Sequence, residues 1–227
     1  MITPLHALPP LEKADFFSLK IYCAWECYPD DIPLWTQNDR SLLCMSDGDL
    51  LLDGCDDADE LLSFIRFTKP RRIFASREVL QQLNLPVAEE LCVLSRKAER
   101  ADSTFISYEQ SSKDIYELLS VEGLSLPEYE QFAPDFCRRL NHGWLHYFAI
   151  PQKCAALTQH SGDFAFICGI ASHEKGYGTV ALNGILRKNY GRTVFSCCRA
   201  DVRGFYEKNG FSPIGTAGYW ENEDGLF

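Results

Sequence analysis

The sequence lacks the features of a membrane-spanning or secreted protein. No window of about 18 residues is apolar throughout, so no helix is expected to cross a membrane. Residues 1–15 contain no basic stretch followed by an apolar one, so no signal peptide is expected either. These absences predict a cytoplasmic protein that does not engage a membrane.

The sequence also lacks the cysteine spacings of a metal site. It has ten cysteines, none of which form a pair separated by two residues, so no zinc site is predicted. Because no secretory signal is present, the thiols are expected to be reduced. Burial as small apolar side chains is the simplest role for them, and the sequence therefore predicts no bound metal.

Positive charge is scarce as well. The chain has 22 Lys and Arg against 32 Asp and Glu, which gives a net charge of -10. Such a chain is expected to repel nucleic-acid phosphate, and the short basic run at residues 69–72 is too small to reverse this. The acidity suits a cationic or neutral amine as partner, although it is equally explained by solubility.

The N-terminal third predicts a small α/β lobe. Residues 1–40 are rich in proline and aromatic residues and predict irregular chain with a short helix. From residue 38 to residue 84 the apolar spacing predicts a ββαβα unit, with a hairpin around Asp47-Gly48 and Asp57 or Asp59 as a helix cap. The predicted elements are strands at residues 41–45, 50–52 and 72–75 and helices at 57–67 and 77–83.

The rest of the chain predicts a second, larger α/β region. A strand at residues 91–94 and a charged stretch at 95–102 are followed by a helix capped by Ser111 or Ser112. Pro134 predicts a kink, or two short helices, within residues 126–141. The remaining elements are predicted as strands at 144–150, 153–159, 164–170 and 193–198, a last strand that begins at 211–216, a helix at 178–190, and a short helix capped by Asp201.

The segment from His173 to Thr179 carries the most specific chemical signal. A strand runs into a loop with two glycines, and a helix follows. Glycines let the backbone approach a ligand, and the free N–H groups of a helix N-terminus attract anions. The pattern predicts a site for a pyrophosphate, and the alternative is an ordinary strand-to-helix turn.

Taken with the segment from Phe205 to Phe211, this loop resembles the Gcn5-related N-acetyltransferase family. That family has a Q/R-x-x-G-x-G/A loop that grips the CoA pyrophosphate and a tyrosine in a Y-E-K-x-G-F segment near the CoA sulfur. The resemblance covers about residues 91–220. His173 stands where the family prefers Gln or Arg, Ile170 replaces a common proline, and Arg199 replaces a common asparagine.

The resemblance implies a fold and a set of site residues. The fold is a mixed, centrally splayed sheet flanked by helices. Backbone groups of the strand that contains Phe166, Ile167 and Cys168 would pair with pantetheine. The cosubstrate acetyl-CoA would also be held by the loop residues His173, Glu174, Lys175, Gly176, Tyr177, Gly178 and Thr179.

The implied reaction transfers an acetyl group from acetyl-CoA to a primary amine of a small molecule or peptide. Tyr206 is the expected catalytic acid for the leaving thiolate, and an N–H of the Ile167–Cys168 region could polarise the thioester carbonyl. His146, Asp163 and Glu174 are candidate bases, and none is assigned. The alternative is a CoA-binding or interaction module of the same fold that has lost catalysis.

The expected organisation is a lobe at residues 1–90 followed by the acyl-CoA-binding domain at 91–227. The lobe is either a degenerate half of the same fold or a cap on the acceptor side. No nucleic-acid partner is expected, and a homodimer stays an open alternative.

Overall fold

The computed structural model describes residues 1–11, 14–99 and 107–222. The chain divides into two compact units. The N-terminal unit comprises Met1–Leu94, Cys197–Lys208 and Ser212–Phe227, and the C-terminal unit comprises Ser95–Ser196 and Asn209–Phe211. The units are not continuous in sequence, and the domain boundary near residue 90 stays a prediction.

The N-terminal unit combines a mixed sheet with helices. Its strands run in the order β1-β2-β3-β4-β5-β11-β6. The elements are β1 (Ile2–Leu5), α1 (Phe16–Cys27), β2 (Leu34–Gln37), β3 (Ser41–Ser46), β4 (Asp49–Leu52), α2 (Ala58–Thr68), β5 (Arg72–Ser76), α3 (Arg77–Gln82), β6 (Glu89–Lys97, shared with the second unit), α7 (Ala200–Lys208) and β11 (Ser212–Glu221). Strands β2, β3 and β4 pair antiparallel, β4 and β5 parallel, and β5 and β11 antiparallel.

The ββαβα prediction for residues 38–84 is confirmed, with Asp57 as the cap of α2. Of the prediction for residues 1–40, the short helix is confirmed, whereas irregular chain is wrong where two short strands form. Asp15 caps a helix of 12 residues, α1, and two short strands flank it. Strand β1 forms by pairing with β2. Its four residues carry too little pattern to be recognised as a strand from the sequence alone.

The core of the N-terminal unit includes a residue from the end of the chain. Trp220 of β11 is 2% exposed and belongs to the same buried cluster as Leu43, Leu50 and Ile73. It is directly opposite Ile73 in the β5–β11 ladder. The last strand, predicted to begin at residues 211–216, starts at Ser212 and continues to Glu221, which places this side chain in the core.

The C-terminal unit is a second sheet region flanked by helices. Its strands run in the order β10-β9-β8-β7, with β7, β8 and β9 antiparallel and β9 and β10 parallel. The elements are α4 (Ser112–Leu119), α5 (Tyr129–Asn141), β7 (Leu145–Ile150), β8 (Cys154–Ser161), β9 (Phe164–Ser172), α6 (Tyr177–Lys188) and β10 (Thr193–Cys198, whose last two residues belong to the first unit).

Three local predictions in this region need correction. Pro134 lies inside one helix, α5, so the alternative of two short helices is wrong; the stacked rings of Phe132 and Phe136, on either side of it in sequence, are buried. Residues 95–97 continue strand β6, while residues 100–102 of the same charged stretch lie outside the described residues. Asp201 lies in the first turn of α7, which begins at Ala200, so it is not the cap.

Helix α6 packs tightly against the sheet of the C-terminal unit. Gly184 faces Phe148 of β7, and a Cβ atom at residue 184 would lie 2.3 Å from a ring carbon. Glycine therefore lets the helix approach the strand closely. Within the described residues, no helix is long and apolar enough to cross a membrane.

Candidate functional site

The parallel pairing of β9 and β10 stops halfway along β9. The ladder joins Thr193, Val194 and Phe195 to residues 164–166, and Phe166 is the last paired residue. Strand β9 itself continues to Ser172. In the part of the chain that the structure describes, no strand pairs with this side of β9 beyond Phe166. A ligand that pairs like a strand would align with this edge of β9.

A β-bulge interrupts the other side of β9 at the same level. Leu157 of β8 pairs with Gly169, whereas the next residue, Thr158, pairs with Ile167. Cys168 is thus the additional residue, and a bulge of this kind increases local twist and bends the strand. Phe166, Ile167 and Cys168 lie where the parallel pair ends and the strand changes course.

The loop after β9 leads into a helix that has no side-chain cap. Gly176 is the N-cap residue of α6, with a φ of 90° that glycine tolerates and side-chain-bearing residues rarely adopt. Tyr177 donates its N–H to the carbonyl of Glu174 at 3.2 Å. No side chain caps the first turn, which also contains no acidic residue, so the N–H groups of Gly178 and Thr179 can face an anion.

An ion pair fixes the side chains around this loop. Lys153, in the β7–β8 turn, lies 3.0 Å from the carboxylate of Glu174, and its ammonium is 4.7 Å from the ring centroid of Tyr177. The hydrogen bonds that Lys153 donates to Glu174 raise the pKa of Lys153, with a smaller contribution from Tyr177. Lys153 and the exposed Lys175 give the loop two cations for a single carboxylate.

His173 connects the loop to its surroundings through both its backbone and its ring. The backbone N–H donates to the carbonyl of Lys153 at 2.8 Å, and Nε2 lies 3.0 Å from the carbonyl oxygen of Leu118 in α4. A carbonyl oxygen only accepts, so Nε2 is the donor in this contact, which holds the loop against the end of α4. A contact between His173 and the cosubstrate stays a prediction.

Tyr206 belongs to α7, in the N-terminal unit. Its side chain is 3% exposed, and its ring makes an edge contact with Phe205 at a centroid distance of 5.2 Å. Arg199, which precedes the helix, lies 3.3 Å from the carboxylate of Asp201. The catalytic role of Tyr206 stays a prediction.

The three candidate bases have different surroundings. Glu174 is paired with Lys153, and the side chain of Asp163 is exposed. His146 lies in β7, with Nδ1 3.3 Å from Oδ1 of Asn189 at the end of α6. Burial lowers the pKa of His146, which keeps its ring neutral. None of the three is brought to the α6 N-terminus as a free base, and none is assigned.

Sequence analysis missed His160, the most perturbed histidine of the C-terminal unit. Its ring lies 4.4 Å from the ring of His146, and its buried Nε2 has no hydrogen-bond partner among the described residues. Burial, with smaller contributions from His146 and Arg192, lowers the pKa of His160 to about 4. The sequence placed His160 in the turn after a strand at residues 153–159, whereas β8 continues to Ser161 and brings His160 beside His146.

We expect the free energy of unfolding to decrease as the pH falls from 6.5 towards 4. In the unfolded chain His160 titrates near 6.5, whereas in the folded chain its pKa is about 4. The unfolded state therefore binds the proton first. The contribution of His160 to the free energy of unfolding is fully present above pH 6.5. Below pH 6.5 it decreases by about 1.4 kcal/mol per pH unit.

Urea unfolding at several pH values between about 7 and about 4.5 measures this effect. In His160→Gln, which cannot titrate there, the loss should be smaller by about 2 kcal/mol at the lower limit. His6→Gln, at an exposed position, is the control and should follow the wild type. An equal loss of stability in His160→Gln and the wild type would contradict the prediction.

Comparison with known proteins shows similarity in structure only. No protein-family profile matches the sequence, and no curated protein matches it. A solved acetyltransferase of the GNAT family from Colwellia psychrerythraea superposes with a TM-score of 0.55 at 11% identity, over 97% of this chain and 99% of that one.

Two further solved structures show the same similarity. A tandem GNAT protein from the clavulanic acid biosynthesis pathway has a TM-score of 0.52 at 11% identity, over 83% of this chain and 82% of that one. A conserved protein of unknown function from Staphylococcus epidermidis has a TM-score of 0.52 at 12% identity, over 81% and 91%.

The chain has an α/β fold in which the parallel pairing of β9 with β10 ends at Phe166, and β9 leads through a glycine loop into α6. This is the fold of the Gcn5-related N-acetyltransferases, and the predicted fold class is confirmed.

Proposed function

We propose that this chain is an acyl-CoA-dependent N-acyltransferase that moves an acetyl group from acetyl-CoA to a primary amine of a small molecule or peptide. One observation carries the proposal. Strand β9 loses its parallel partner after Phe166 and then leads, through Gly176, into a helix with no side-chain cap. In CoA the pantetheine arm is joined to the pyrophosphate. Its amide groups would pair with β9, and the pyrophosphate would bind at the N-terminus of α6.

The proposed cosubstrate contacts follow from this geometry. The amide groups of pantetheine pair with the backbone of β9 beyond Phe166. The pyrophosphate accepts hydrogen bonds from the N–H groups of Gly178 and Thr179, where the helix dipole favours negative charge. Lys153 and Lys175 add positive charge at the loop.

The proposed chemistry is attack of a neutral amine on the thioester carbonyl. An N–H of the Ile167–Cys168 region stabilises the oxyanion, as a backbone donor in a strand can do without reorganising. The tetrahedral intermediate then expels CoA thiolate, and Tyr206 supplies the proton to the sulfur. The acceptor amine loses its proton to solvent or to a base that is not assigned.

A second candidate is a CoA-binding module of the same fold without catalysis. Two observations favour it: the side chain of Tyr206 is only 3% exposed, and Arg199 is engaged with Asp201. A buried phenol is less accessible to a substrate than a catalytic acid at a surface cleft would be.

Acetyl-CoA calorimetry and CoA release against a panel of primary amines, measured for wild type and Tyr206→Phe, separate these candidates. If Tyr206 is the acid, kcat should fall about 100-fold in Tyr206→Phe, and the decrease in rate at high pH should disappear. KM for acetyl-CoA should change much less, because the ring remains. Equal turnover and equal pH profiles would remove the assignment of Tyr206.

The wild-type protein decides the wider question. Acetyl-CoA binding without turnover of any amine would favour the binding module. A lack of acetyl-CoA binding would refute the proposed function itself.

A further inference from the structure

The same supersecondary arrangement occurs twice in the chain. In the C-terminal unit, β7, β8 and β9 form an antiparallel run, α6 follows, and β10 returns parallel to β9. In the N-terminal unit, β2, β3 and β4 form an antiparallel run, α2 follows, and β5 returns parallel to β4. The segment between β4 and α2, residues 53–57, therefore corresponds in topology to the loop before α6.

The two strands that precede these loops differ in how they end. Strand β9 continues from Ile167 to Ser172 after its last residue paired with β10. Strand β4 pairs with β5 as far as Leu51 and ends at Leu52. Beyond its last residue paired with β5, strand β4 therefore offers one residue, Leu52, which is too short for a pantetheine arm to pair with.

Side chains of the protein occupy the loop before α2. Oε1 of Gln37 accepts the N–H groups of Asp56 at 2.9 Å and Asp57 at 3.2 Å. The carboxylate of Asp57 accepts the N–H of Glu60 at 3.1 Å, and Nε2 of Gln37 donates to the carbonyl of Asp57 at 2.9 Å. Gln37 is fully buried, so its amide is a fixed part of the loop.

The charges at the two helix N-termini also differ. The cap of α2 is Asp57, and its first turn contains Asp59 and Glu60. The first turn of α6 has no acidic residue and its cap is Gly176. Carboxylates stabilise a helix N-terminus but repel a phosphate that would bind at the same place.

We infer that the N-terminal unit carries a closed copy of the cosubstrate loop, filled by Gln37 and Asp57, and that each chain binds a single acyl-CoA, at α6. This inference rests on the proposed function. It assigns the N-terminal arrangement a structural role, in which an internal amide and a carboxylate satisfy the N–H groups that a pyrophosphate would satisfy in an open loop.

Calorimetry of the full chain with acetyl-CoA gives the stoichiometry, and hydrogen exchange with and without acetyl-CoA gives the location. The expected result is one molecule per chain, with slower exchange at residues 173–180 and no change at 54–60. A stoichiometry of two, or slower exchange at 54–60, would overturn the inference while leaving the proposed function standing. A lack of binding would overturn both.

The double variant Asp57→Asn, Asp59→Asn tests whether the loop is filled or merely repulsive. Asparagine caps a helix about as well as aspartate, so α2 should stay folded. Because Gln37 still occupies the loop, the stoichiometry should remain one. A second bound acetyl-CoA in this variant would contradict the closed loop.

Discussion

Thr179→Glu should bind acetyl-CoA at least about 30-fold more weakly than the wild type, a loss of about 2 kcal/mol. Thr179 is exposed in the first turn of α6, two residues after Tyr177. A carboxylate there would approach the N–H groups assigned to the pyrophosphate and repel its charge. The same carboxylate should stabilise the helix, because the first turn contains no acidic residue and no side-chain cap.

These opposite effects make the experiment specific. Calorimetry measures the affinity and thermal unfolding measures the stability. The matched variant Thr179→Gln has the same length without the charge, so its loss of affinity should be much smaller. The ratio of the dissociation constants of the Glu and Gln variants should decrease at high salt, since the repulsion is electrostatic. Equal affinities for Glu and Gln at residue 179 would refute an anion site at this helix.

Trp220→Ala should destabilise the N-terminal unit by about 3 to 5 kcal/mol, although residue 220 is near the end of the chain. The side chain is 2% exposed and packs in one cluster with Leu43, Leu50 and Ile73. Its removal leaves a cavity in that core, which the surrounding leucines can fill only in part. Urea unfolding measures the total loss.

Hydrogen exchange shows where this stability is lost. Protection should decrease in β3, β4 and β5, since these strands contribute the partners of Trp220. The control is Ile214→Ala in the same strand, where the side chain is 52% exposed and the expected change is below about 0.5 kcal/mol. A loss of protection confined to β11 would show that Trp220 does not support the N-terminal core.

The elements with the clearest local patterns were predicted correctly from sequence. Residues 173–179 contain both the glycines and the strand-to-helix change, so the loop and the start of α6 could be located. The cap of α2 at Asp57 and the hairpin around Asp47 and Gly48 were found for the same reason. Local hydrogen bonding and backbone preference are sufficient to produce these features.

Several predictions failed where partners distant in sequence decide the outcome. Strand β1 forms because Ile2 and its neighbours pair with β2, more than thirty residues later. Pro134 lies inside α5, where the rings of Phe132 and Phe136 pack against Tyr116 and Tyr147 of other elements. His160 was overlooked because its low pKa depends on burial beside His146, which a sequence does not display.

The sequence by itself therefore determined the glycine loop and the helix that follows it, because these depend on residues close together in the chain. It indicated the fold class through its resemblance to a known family. Only the tertiary structure decided how the loop before α6 differs from the loop before α2. The end of pairing at Phe166 and the filling of the N-terminal loop by Gln37 arise from contacts between separate strands. The physical reason is that strand pairing and side-chain occupancy depend on distant neighbours, whereas glycine and capping preferences depend on adjacent ones.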